Sequence, residues 1–124
     1  VDAERGALLW SRNVGGANAI AGDAERLFGS DGSDRITAWR ADGGDVLWTN
    51  ERFMNRGLSG MLAAGPTLVF GDAEGYVHFL STATGETQLR LGTDGTPVVS
   101  TPVASGSTLL AVTRDGGVYA FRQN

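Results

Sequence analysis

A chain of 124 residues normally folds as one domain and can bury a workable core without help from a membrane or a metal. Its formal charge of -4, from 10 Lys plus Arg against 14 Asp plus Glu, comes with no basic cluster able to displace counterions from phosphates, so nucleic acid is not an expected partner. The absence of cysteine excludes disulfides, thiolate metal sites and a cysteine nucleophile, and no apolar run approaches the roughly 20 residues that cross a bilayer as a helix.

The 19 glycines and the short apolar runs between Gly, Asp, Ser and Thr clusters predict many short strands joined by tight turns. Helical periodicity is not sustained anywhere. The first predicted strand is Ala7 to Asn13. ANAIAGD at 17 to 23 reads as the next, and LFGSDGSDRITAW at 27 to 39 as a hairpin whose strands start at Leu27 and Ile36 around a polar turn. DVLWTN at 45 to 50 follows, and then a connection at 51 to 56. The pattern recurs with MLAAGPT at 61 to 67, a hairpin LVFGDAEGYVHFL at 68 to 80, and ETQLRL at 86 to 91. It recurs again with STPVASGS at 100 to 107 and a hairpin LLAVTRDGGVYAF at 109 to 121.

The three hairpins align without a gap, each beginning 41 residues after the last. One repeat is therefore four short antiparallel strands in about 41 residues, which matches a β-propeller blade, typically roughly 40 to 45 residues in one common family. The expected fold class is all-β, a partial propeller of about three blades' worth. Residues 1–14 carry the fourth strand of a preceding blade, 15–56 and 57–95 are full blades, and 96–124 form a last blade lacking its fourth strand. In the third strands, apolar residues occur at both parities, so neighbouring blades are expected to cover both faces. Known propellers close with about four to eight blades. Either the chain is a fragment of a longer one, or copies associate head to tail to finish a ring.

AWRADGGDVLW at 38 to 48 is a third strand, a turn and a fourth strand. Ala41 to Gly44 supplies the turn, and Trp48 sits where a flat ring can cover the gap to the next blade. The phrase resembles the tryptophan-docking repeat of pyrroloquinoline-quinone-type propellers. Ala38, Asp42, Gly44 and Trp48 fit it in one copy, Asp2, Gly6 and Trp10 in another, and Ser81, Gly85 and Leu89 form a degraded third. Quinone dehydrogenases and non-enzymatic scaffolds both carry this repeat.

GDAEGYVHFLSTATGE at 71 to 86, followed by TPVVSTPVASGSTLLAVTRDGGVYAFR at 96 to 122, is more specific. It resembles the C-terminal end of the BamB family of outer-membrane protein assembly lipoproteins through Gly71, Asp72, Glu74, Gly75, Tyr76, Gly85, Pro102, Val103, Asp115, Gly116, Val118 and Tyr119. The resemblance implies an eight-bladed propeller at the periplasmic face of the bacterial outer membrane, held there by an N-terminal lipid. It further implies binding to the POTRA domains of the barrel protein BamA and delivery of unfolded β-barrel precursors. The chain shows no signal peptide, no lipidated Cys and not the first five or so blades, so the anchor and most family contact residues are not expected within it.

Candidate sites are few. His78 is the only histidine and reads as structural. The acidic turns Asp31-Gly32-Ser33-Asp34 and Asp72-Ala73-Glu74 lack the ligand series of a calcium loop and read as turn chemistry. Ser59, Ser100 and Ser105 have no partnered base, and no Gly-rich phosphate loop is present. The connection carrying Arg52, Phe53, Met54 and Arg56 has the composition of a recognition surface and is a candidate contact loop. No catalytic, cofactor-binding or metal residue is assigned and no cofactor is expected. The expected function is a non-catalytic protein-binding scaffold, with part of a quinone-dependent dehydrogenase as the alternative.

Overall fold

The computed structural model describes residues 17–122, which form eleven strands in three antiparallel sheets and no helix. The first sheet holds β1 (Ala17–Gly22), β2 (Arg26–Asp31), β3 (Ile36–Arg40) and β4 (Val46–Asn50), each beside its sequence neighbour. The second holds β5 (Met61–Ala64), β6 (Thr67–Gly71), β7 (Tyr76–Ser81) and β8 (Thr87–Gly92). The third holds β9 (Val103–Ser105), β10 (Thr108–Val112) and β11 (Val118–Arg122). The predicted strand Ala7 to Asn13, with Gly6 and Trp10, lies outside the described residues.

The 41-residue period persists in the pairing register. Leu27 faces Trp39, Leu68 faces Leu80 and Leu109 faces Phe121. The irregularity that tilts the outer strand also repeats, between Ala38 and Trp39 in one sheet and between Phe79 and Leu80 in the next. Only β9 falls well short of its predicted run. Pro102 precedes it and has no N–H for a ladder, and the chain reaches the third sheet instead through a bridge between Val98 and Thr113.

Packing divides the apolar residues by parity. Phe28, Ile36 and Ala38 of the first sheet meet Met61, Leu68, Phe70 and Leu80 of the second. From its opposite face the second sheet offers Val69, Val77 and Phe79 to Leu109 and Ala111 of the third. β7 is covered on both faces, as its sequence predicts, because alternate residues serve two different neighbours. β11 differs: Val118 is 67% exposed, since no described sheet lies beyond it. β1 and β5 approach each other, which places the first strands of the two full sheets on one side of the stack and β4 and β8 on the other.

Candidate functional site

Two polar fastenings tie the sheets together, and both grow from the repeat's own turns. The β6–β7 turn begins at Asp72, whose side chain is fully buried. Its Oδ1 accepts the N–H groups of Glu74 at 2.8 Å and Tyr76 at 3.1 Å, while Oδ2 lies 2.7 Å from His78 Nε2. The Asp72 carbonyl accepts the Val98 N–H at 3.0 Å, and the Ala73 N–H donates to the Arg56 carbonyl at 3.0 Å. The turn that Asp72 opens thus holds its own hairpin, the entry to the third sheet and, through Ala73, the connection between the first two. The acidic turn and the single histidine, read separately in the sequence, are one unit.

The imidazole of His78 packs against Phe53, with centroids 4.7 Å apart, and Phe70, at 5.4 Å. Its Nδ1 is buried without a partner, so with Asp72 ionised the ring proton belongs on Nε2, facing the carboxylate. Burial pushes the His78 pKa below its ordinary 6.5; Asp72 opposes this, and the charges of Arg56 and Arg90 add to it. The Ser59 hydroxyl is engaged with the Gly60 carbonyl and the Gly71 N–H, and Ser100 and Ser105 are exposed.

A histidine whose folded pKa lies below its unfolded value binds its proton more readily in the unfolded chain. Stability from this group is therefore complete above about pH 6.5 and is lost as the pH falls toward the folded pKa. Denaturant midpoints measured from pH 7.5 to 5 are expected to fall, with a slope of up to about 1.4 kcal/mol per pH unit. The slope should flatten in His78→Leu even though that variant is less stable throughout.

Counterparts of Asp72 stand 41 residues either side. Asp31 Oδ1 accepts the Ser33 and Arg35 N–H groups at 2.9 and 3.0 Å, and the Arg35 N–H foremost lowers its pKa. Thr113 takes the place in the third sheet. Its hydroxyl accepts the Gly117 N–H at 3.2 Å and donates to Asp94 at 2.7 Å. Hydrogen bonds from Thr96 and Thr113 hold the Asp94 carboxyl down to about 2. The clasp at Asp94 was not read from the sequence, nor was the bond from the Gly57 N–H to Asp34 Oδ2 at 2.9 Å. A signal existed for the second: Asp34, at φ 67°, occupies the position of Gly75 and Gly116, both at φ 87°.

The other fastening is at the outer strands. Trp48 pairs with buried Ala38 and donates from Nε1 to the Thr82 carbonyl of the second sheet at 2.9 Å. Its ring lies on Gly85, where an added Cβ would come 2.4 Å from the indole, and Gly85 has φ 77°. Asn50 Nδ2 donates to the Gly85 carbonyl at 2.8 Å. Gly44 repeats the positive φ at 75°, closing the β3–β4 turn, while Asp42 is exposed in that turn. Leu89 pairs with Phe79 and is 49% exposed, beside a groove of about 450 Å³ lined by Phe79, Leu91 and Phe121.

Of the candidate contact loop, Arg52 and Arg56 are exposed and Met54 is half-buried. Phe53 is not available to a partner: it is 5% exposed and meets Phe70 edge-on at 5.1 Å.

Stacked four-stranded meanders, fastened sheet to sheet by an outer-strand tryptophan, define a β-propeller segment. No protein-family model matches the chain. The outer membrane protein assembly factor BamB of Yersinia pestis is 37% identical over 121 residues, covering 98% of this chain and 31% of that protein. The crystal structure of BamB from Moraxella catarrhalis superposes with a TM-score of 0.75 at 27% identity, over 83% of this chain and 30% of that one. A quinohemoprotein alcohol dehydrogenase from Pseudomonas putida, with a TM-score of 0.69 at 11% identity over 86% of this chain and 19% of that one, shares the fold alone. Over nearly its whole length, then, the chain is similar to BamB proteins. It spans about a third of the length of the relatives it matches.

Proposed function

We propose that this chain is part of a non-catalytic propeller that serves the assembly of β-barrel proteins into the bacterial outer membrane from its periplasmic face. The observation that carries the reading is 37% identity across 98% of the chain to a protein named outer membrane protein assembly factor. The polar residues of the described part fit it, since Trp48 and Asn50 bond from the first sheet to the second and the Asp72 and His78 side chains are engaged with each other and with their own hairpin. The direct partner would be the POTRA domains of BamA and the clients unfolded barrel precursors, with a lipid anchor elsewhere in the parent protein.

On this reading, residues 15–56, 57–95 and 96–124 are successive blades, with 1–14 completing the blade before them. Gly6, Trp10, Ala38, Asp42, Gly44, Trp48, Gly85 and Leu89 form the docking series, and Arg52, Met54 and Arg56 are the contact residues. A chimera carrying residues 1–124 in place of the matching third of Yersinia pestis BamB should restore outer-membrane barrel proteins in a strain lacking its own BamB. Arg52→Glu with Arg56→Glu in that chimera should weaken POTRA binding about tenfold. A chimera that folds, reaches the membrane and restores nothing would overturn the proposal.

A further inference from the structure

The first sheet departs from the repeat where its β2–β3 hairpin opens. Arg26 faces Arg40 there, directly across the ladder, while the second sheet pairs Thr67 with Ser81 at the same positions and the third pairs Thr108 with Arg122. Hydroxyl residues stabilise such a cross-strand pair, and like charges directly opposite oppose it. The architecture therefore does not ask for two arginines at this place.

The described residues neutralise the pair only in part. Asp23 Oδ2 lies 3.7 Å from Arg26, and Asp23 Oδ1 already accepts the N–H groups of Glu25 and Arg26. Arg40 is exposed and forms no ion pair among the described residues. Phe28 and Ala38, two places along the same strands and on the same face, pack against the second sheet, so both arginines stand on the side of the seam between the first two sheets. They line a cavity of about 750 Å³ together with Leu47 and, across the seam, Ala83. That size lies within the roughly 300 to 1,000 Å³ of ordinary ligand sites. Ala83 follows Thr82, whose carbonyl holds Trp48, so the cavity adjoins the outer fastening. Its walls come from the two full sheets and their turns, and the outer faces of the stack take no part in it.

We propose that this cavity binds a peptide carboxylate, from an acidic side chain or a chain end, held between Arg26 and Arg40. A guanidinium presents paired N–H donors that match the two oxygens of a carboxylate, and one negative charge placed between two guanidiniums relieves their mutual repulsion. Glu25 and Asp42 line the same cavity and set the limit on charge. They oppose a doubly charged phosphate more than a single carboxylate, and their oxygens accept the backbone N–H groups that a peptide brings with it. Leu47 and Ala83 supply apolar contact for the neighbouring side chains of the peptide.

Amide chemical shifts of the isotope-labelled full chain, followed during titration with three pentapeptides, test this. Acetyl-Ala-Leu-Glu-Leu-Ala-amide carries one internal carboxylate, acetyl-Ala-Leu-Ala-Leu-Ala one at its end, and the amide of the latter none. The expected result is saturable shifts at residues 24–26, 40–42 and 83 with at least one of the first two peptides and none with the third. The tighter of the two identifies the source of the carboxylate. Arg40→Thr, which puts a hydroxyl where the second sheet has Ser81, should weaken that peptide at least about tenfold while unfolding at no lower temperature than the wild type. Equal shifts with the neutral peptide, or none with any, overturn the proposal, as does inorganic phosphate binding more tightly than either carboxylate peptide. A lower unfolding temperature in Arg40→Thr also overturns it, since the arginine pair would then serve the fold and not a ligand.

Discussion

Asp72→Ala is expected to lower the unfolding free energy by about 2 to 4 kcal/mol, the usual consequence of leaving more than one buried polar group without its partner. The substitution strips the acceptor from the Glu74 and Tyr76 N–H groups and leaves His78 buried with neither ring nitrogen paired. Asp72→Asn should cost less, about 1 to 2 kcal/mol, because an amide oxygen can still cap the turn. Urea unfolding followed by tryptophan fluorescence separates the two, the alanine midpoint falling by about 1 to 3 M for a typical slope. An alanine variant within about 1 kcal/mol of wild type would mean that the dyad fastens nothing.

At the outer fastening the expected result is a failure of additivity. Trp48→Ala should cost about 2 to 4 kcal/mol through lost packing against Phe28 and Gly85 and the unpaired Thr82 carbonyl. Gly85→Ala should cost a similar amount by two routes, a left-handed backbone worth about 1 to 2 kcal/mol and a methyl driven into the indole. With the indole gone the methyl has room. The double variant should then be at least 1 kcal/mol more stable than the sum of the single effects predicts, a coupling that thermal unfolding of the four proteins measures. Additive losses would show that ring and glycine do not act as a pair.

The architecture was legible because it is periodic. A 41-residue spacing of Leu27, Leu68 and Leu109 predicts three equivalent hairpins, and the observed pairings Leu27–Trp39, Leu68–Leu80 and Leu109–Phe121 keep that spacing. The phrase Gly44 to Trp48 likewise pointed to an outer-strand ring covering a gap, and Trp48 lies on Gly85 of the next sheet. Contacts that depend on three-dimensional approach across unequal sequence distances were not legible. Phe53 reads as a surface aromatic between two arginines, yet the turn around it directs its ring onto Phe70 and His78. Asp72 and His78 are six residues apart on opposite sides of a turn, and that turn, with Gly75 left-handed within it, brings carboxylate and imidazole together.

The fastenings also bear on how the chain reaches this state. Each sheet is a meander whose strands pair with their immediate neighbours, so the ladders close short loops. The side-chain bonds between the first two sheets, Trp48 to Thr82 and Asn50 to Gly85, span only 34 and 35 residues, and the Val98 N–H reaches Asp72 across fewer. Formation can therefore begin at any one blade and spread to its neighbour, as in other one-dimensional arrays, at a speed set by local contacts. The last blade to form has the fewest partners to lose. Fraying should start at the third sheet, where hydrogen exchange at β11 would outrun exchange at β7.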